Sequence, residues 1–257
     1  MTGWLHPAYL SGPAAAAGAQ MSRIRAVWQD QRMKPEEIAE EAAWAVIGVL
    51  GGTGDQGRGL ARRLAMAGSR VIIGSRDAGR ATAAAAGVGS APQVTGTENE
   101  EAARVADVVI AAMPWEGHAD LLTQLAGALE GKIVIDCVNP MAFDSHGAYP
   151  IPVPEGSAAQ QAAALLSGST VVGAFHHVSA TLLLDPDVDD LGQDVLVLGD
   201  DRHATDLVQA LADRIPGARG VYAGRLRNCG QVEALTCNLV SVNRRYKAHA
   251  GLRVTDI

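Results

Sequence analysis

Gly51-Gly52-Thr53-Gly54-Asp55-Gln56-Gly57 contains the spacing Gly52-x-Gly54-x-x-Gly57. This spacing suits a pyrophosphate. The free N–H groups and the dipole at a helix N-terminus receive its negative charge without a cationic side chain. Glycine at 52 and 54 lets backbone approach the ligand, and Gly57 lets helix and strand pack closely. A Gly-rich structural turn would share the composition. The context separates the two readings, because the loop follows the apolar run Ala45–Leu50 and opens an amphipathic segment. No Gly-Lys-Ser/Thr follows, which excludes a Walker-type phosphate loop.

The end of the next apolar run selects the dinucleotide. NAD binders place Asp or Glu there for the ribose 2′-hydroxyl. This chain has Gly74-Ser75-Arg76, with Arg80 a helical turn later. A carboxylate would repel a 2′-phosphate, whereas a hydroxyl and two guanidiniums hold it by charge-assisted hydrogen bonds. Ser75, Arg76 and Arg80, with Thr53, therefore read as an NADP phosphate clamp; solvated surface arginines are the alternative.

Beyond the loop, further segments end apolar runs at the sheet edge where dinucleotides pass. They are Met113-Pro114-Trp115, Val138-Asn139-Pro140-Met141 after Cys137, and Phe175-His176-His177-Val178-Ser179-Ala180. Together they would frame a pocket for a flat conjugated ring. His176 is the candidate acid/base or hydrogen-bond donor near that ring, and a structural histidine is the other reading. No Asp, Glu or Cys stands at metal-ligand spacing from the His pair, which argues against a metal site.

The elements that must position these residues follow from periodicity. Apolar strand-length runs at 45–50, 70–75, 107–113, 132–138 and 170–175 alternate with helical segments at 55–67, 77–86, 117–129 and 157–166. In the first helix Leu60, Ala61, Leu64 and Ala65 form the apolar face, and Arg58, Arg62 and Arg63 lie off it. Apolar strands separated by helices predict a doubly wound parallel α/β sheet, the Rossmann architecture. After His176 the pattern loosens into a strand at 195–198, a helix at 201–214, a short strand at 220–223 and a long helix over 227–249. In that helix Val232, Leu235, Leu239, Val242 and Tyr246 form a seam, either core-facing or a subunit interface. The expected organisation is an N-terminal extension over 1–44, with a short helix starting at Pro35, an NADP-binding domain over 45–181 and a smaller C-terminal α/β domain over 182–257.

Composition bounds the rest. The 257 residues carry a formal charge of -7, which argues against a general nucleic-acid binder. Apolar runs are interrupted well before the ~18 residues of a membrane span. The first residues lack the basic start and apolar core of a secretory signal. Cys137, Cys229 and Cys237 are too few and scattered for a disulfide framework, as expected of a cytoplasmic protein.

These motifs resemble the F420H2:NADP oxidoreductase family. The likeness rests on the Leu50–Gly57 loop, Gly74-Ser75-Arg76 with Arg80, Met113-Pro114-Trp115 and Ala174-Phe175-His176-His177-Val178-Ser179-Ala180. It continues through Asp194–Asp200 and Gly224–Asn228. The resemblance implies a homodimer that moves hydride between NADP(H) and the 5-deazaflavin coenzyme F420. It also implies that Thr53, Ser75, Arg76 and Arg80 hold the NADP phosphate, while the loops at 138–141 and 176–180 frame the deazaflavin. Such chemistry fits a chain whose pocket offers no obvious proton donor beyond His176, because hydride passes between two conjugated rings. The basic residues Arg225, Arg227, Arg244, Arg245 and Lys247 could meet the anionic F420 tail, lie on a helix surface or pair between subunits. An NADPH-dependent C=N or C=O reductase and an NADP(H)-sensing regulator are the alternative functions.

Overall fold

Uninterrupted runs of Val, Ile and Leu build strands with no solvent-facing side, and they fold only where helices cover both faces. The computed structural model describes residues 33–88 and 93–257; residues 1–32 of the expected extension over 1–44 lie outside them. Helix α1 (Pro35–Trp44) leads into β1 (Val46–Leu50), α2 (Asp55–Met66), β2 (Arg70–Ser75), α3 (Ala78–Ala86), β3 (Val94–Glu98) and α4 (Asn99–Val105). Then come β4 (Val108–Ala111), α5 (His118–Leu129), β5 (Ile133–Asp136), the hairpin β6 (Met141–Asp144) and β7 (Gly147–Pro150), and α6 (Ala158–Leu165). The chain continues through β8 (Thr170–Gly173), α7 (Ala180–Leu184), β9 (Gln193–Gly199), α8 (Arg202–Asp213), β10 (Ala218–Gly224) and α9 (Cys229–Tyr246).

Among the described residues the main sheet has eight strands in the order β10-β9-β8-β5-β4-β1-β2-β3. From β3 to β8 every pairing is parallel. The chain order reverses between β1 and β4, and this is where a doubly wound sheet opens a crevice at its strand ends. One apolar layer gathers Ile47, Val49, Ile73 and Ile110 with Leu60 and Leu64 of α2. The other gathers Leu50, Ile72, Val109 and Val134 with Leu122 and Leu125 of α5.

The structure departs from the sequence expectation at several elements. β9 pairs antiparallel with β8, so the sheet is mostly rather than wholly parallel. Past position 181, β9 and β10 extend the same sheet. β3 and α4 occupy a stretch where no element was expected, because Val94-Thr95-Gly96-Thr97-Glu98 is a half-exposed edge strand without an apolar run. The hairpin β6–β7 fills a segment read as loop. In the seam of α9 only Val232 is buried, and Tyr246 is 73% exposed.

Candidate active site

The glycine loop lies between β1 and α2. Gly51 sits at φ +63°, a conformation that L side chains rarely adopt, and its N–H donates to Asn99 Oδ1 at 3.1 Å. Gly52 N–H donates to the Gly74 carbonyl at 3.1 Å, which ties the loop to the end of β2. A Cβ on Gly57 would stand 2.5 Å from Gly52 Cα, so helix and loop touch backbone to backbone. Gly54 differs: a Cβ there would meet nothing within 4 Å. Packing does not require glycine at 54, and the open space adjoins the first turn of α2, which no side chain caps. That is room for an anion where free N–H groups converge.

At the end of β2, Ser75 is buried while Arg76 and Arg80 are exposed. The intervening Asp77 accepts from Arg80 N–H at 2.7 Å and caps α3, so its carboxylate is engaged by the helix.

The strand ends meet at a cleft of about 190 Å³ lined by Gln56, Met113, Pro114, Trp115, Val138, Asn139 and His176, together with Ala112 and Cys137. Asn139 Nδ2 donates to the His176 carbonyl at 2.8 Å, and Gln56 Nε2 donates to the Phe175 carbonyl at 3.2 Å. The second bond joins the glycine-loop helix to the β8 turn. Of the other expected pocket residues, Pro140 is buried, Met141 opens β6, Val178 packs in the core and Ala180 begins α7. None of these four lines the 190 Å³ cleft. Arg244 and Arg245 line a separate groove of about 580 Å³ beside the hairpin, and Arg225 donates to the Asp200 carbonyl at 3.0 Å.

His176 is 4% exposed, with neither ring nitrogen at hydrogen-bond geometry to a described residue. Burial pushes its imidazole down to about 4, so it is neutral at pH 7. His177 is likewise lowered to about 4, first by burial and then by His176. Its Nε2 accepts from Leu196 N–H at 3.2 Å. Neutral rings can give and take hydrogen bonds, but they hold no proton to release at pH 7.

Sequence reasoning missed a buried polar cluster behind the cleft. His118 and Asp136 are both fully buried, with Nε2 and Oδ2 2.7 Å apart. His118 Nδ1 faces Gln161 Oε1 at 3.0 Å, and Asp136 Oδ1 accepts from Val138 N–H at 3.0 Å. Burial opposes charge on His118, but hydrogen bonds to Asp136 and Gln161 outweigh it and hold its pKa above the ordinary value. Nearby Glu233, raised to about 7 by burial, accepts from Ala158 and Ala159 N–H at the start of α6. His118 and Asp136 are 18 residues apart in different elements, and neither carries a spacing signal.

Arg63 does not lie off the buried face of α2; it is 1% exposed. Its guanidinium donates to the carbonyls of Leu182 (2.6 Å), Leu183 (2.9 Å), Asp185 (3.1 Å) and Val188 (2.6 Å). A planar fork of donors can enter a core when carbonyls satisfy it, which a hydropathy pattern does not register.

Residues 46–140 match the family model described as NADP oxidoreductase coenzyme F420-dependent. The F420-dependent NADP reductase of Methanothermobacter marburgensis is 39% identical over 221 residues, 82% of this chain and 98% of the relative. The protein of the same name from Methanocaldococcus jannaschii is 38% identical over 222 residues, with the same coverage of 82% and 98%. A crystal structure from Arthrobacter sp. FB24, described as an F420-dependent NADP-reductase, superposes with a TM-score of 0.71 at 26% identity, covering 82% of this chain and 100% of that one. With the sheet order, the glycine loop and the arginine pair all in place, this chain belongs to the F420-dependent NADP reductase family.

Proposed function

We propose that this chain transfers hydride between NADP(H) and coenzyme F420 across the cleft at the β1–β4 switch point. One observation carries the reading: the glycine loop, with its free helix N-terminus, opens through Gln56 into a cleft walled by three strand ends. The residues fit both cofactors. The space beside Gly54 and the uncapped turn of α2 suit a pyrophosphate. Thr53, Ser75, Arg76 and Arg80 suit a 2′-phosphate. Asn139 and His176 line the cleft and add polar side chains to its otherwise largely apolar wall.

The nicotinamide and the deazaflavin supply the redox chemistry when bound, and the chain supplies binding, orientation and a dry environment. Met113, Pro114 and Trp115 form an apolar wall on one side, Val138 and Asn139 on the next. His176 serves as a neutral hydrogen-bonding group that orients a ring edge, with no proton transfer asked of it. Pro140, Met141, Val178 and Ala180 support the loops that frame the deazaflavin.

The enzyme works as a homodimer in the cytoplasm. Support for the dimer is the exposed apolar group Phe143, Tyr149, Val242 and Tyr246 on the hairpin and α9. Support for the compartment is that Cys137, Cys229 and Cys237 are all free. No described helix is long and apolar enough to cross a membrane.

The test is a spectrophotometric assay with NADPH and F420, following both absorbances, with NADH in parallel. Loss of both absorbances with NADPH and little change with NADH is the expected result. Bound NADPH with no change in F420 absorbance would refute the reading.

A further inference from the structure

We propose that the His118–Asp136 pair is a positioning device for hydride transfer, setting two neighbouring walls of the cleft from behind. It rests on the hydride-transfer reading above. Asp136 is the last residue of β5, and its two carboxylate oxygens divide the task. Oδ1 accepts from Val138 N–H at 3.0 Å and bends the chain into the wall formed by Val138 and Asn139. Oδ2 holds His118 Nε2 at 2.7 Å. The His118 ring in turn lies 5.5 Å from the Trp115 ring, at 30° between planes, and Trp115 belongs to the neighbouring wall. One carboxylate thus sets a backbone directly and an aromatic ring through an imidazole.

The pair is costly to bury and would add little as a mere tether. Two fully buried charged groups give up hydration that their attraction roughly repays, and well-packed apolar residues would serve stability as well or better. Both His118 nitrogens face acceptors, Asp136 and Gln161, so the ring needs a proton on each and its orientation is fixed. Fixed orientation is what a hydride transfer requires: the reacting carbons must approach to about 3–3.5 Å, and a shift of about 1 Å can cost on the order of a hundredfold in rate. Neither His118 nor Asp136 lines the cleft, so each acts through Trp115 and Val138.

The experiment compares the parent protein with Asp136→Asn and, separately, Gln161→Met, using NADPH and 4,4-dideuterated NADPH with F420. Asp136→Asn keeps the volume and an acceptor for Val138 but removes the charge that orients His118. The expected result is a kcat lower by about tenfold or more. The deuterium isotope effect should rise as hydride transfer becomes limiting, and the NADPH dissociation constant should stay within about twofold. A folded Asp136→Asn protein with parental kcat and isotope effect would overturn the proposal, since a purely structural pair would change melting temperature alone. If Asp136→Asn does not fold, Gln161→Met decides: a reduced kcat with a raised isotope effect supports the proposal, and parental values overturn it. A parent that never oxidises NADPH with F420 removes the underlying reading instead, and that result appears before any variant is compared.

Discussion

Gln56, in the first turn of α2, donates its side-chain amide to the carbonyl of Phe175, a residue held at φ +62°. The left-handed backbone at a buried aromatic turns the chain sharply after β8 and presents His176 to the cleft. One hydrogen bond therefore joins the helix that would bind pyrophosphate to the turn that would meet the deazaflavin.

Replacing Gln56 by Met keeps the length of the side chain and removes that bond. A bond of this type contributes about 1 kcal/mol, so kcat/KM for F420 should fall about fivefold. NADPH binding should change less. Steady-state kinetics with each substrate varied in turn separates the two effects.

The glycines of the loop divide into packing and ligand positions. Gly57→Ala drives a Cβ into Gly52 backbone and should cost about 1–3 kcal/mol, lowering the melting temperature by several degrees. Gly54→Ala meets no protein atom within 4 Å, so the melting temperature should hold. Its added methyl occupies the space meant for the ligand, and NADPH affinity should drop about tenfold. Thermal melts alongside NADPH titrations check both.

The arginine pair should govern cofactor choice. Arg76→Ala combined with Arg80→Ala should raise the KM for NADPH by roughly 100-fold or more, since each charge-assisted bond is worth about 1.5–3 kcal/mol in such sites. The KM for NADH should hardly move. A loss shared equally by NADPH and NADH would argue against contact with the 2′-phosphate.

Stability should peak near pH 6.5. His176 and His177 titrate near 4 in the fold and near 6.5 in the unfolded chain. Between those values the unfolded chain binds more protons, so the fold loses stability as pH falls, up to about 3 kcal/mol for each ring. Glu233 acts oppositely: it keeps its proton to about 7 when folded and to 4.5 when unfolded, so its contribution is lost as pH rises through that window. The raised pKa of His118 adds a loss above 6.5. Urea unfolding from pH 4.5 to 8 should show a flatter acid limb in His177→Gln and a steeper one in Glu233→Gln.

Much of this was legible because buried parallel strands announce themselves. Val46–Leu50 and Arg70–Ser75 are apolar throughout, and the glycine spacing sits where they require a phosphate loop. The half-exposed edge strand β3 carries no such signal, and with it the sequence hid Asn99, which holds Gly51 from 48 residues away. His118 with Asp136, and Arg63 with its carbonyls, are polar groups made acceptable by partners the fold brings together. A one-dimensional pattern records their polarity and not their satisfaction.

The Arg63 fork bears on how this scaffold could be re-engineered. Its donors match the carbonyls of Leu182, Leu183, Asp185 and Val188. A replacement loop of another length in that region would leave a buried cation facing the wrong groups. Transplanting a different segment over 182–188 therefore means redesigning position 63 on the nucleotide helix at the same time, and the two are best exchanged as a single cassette.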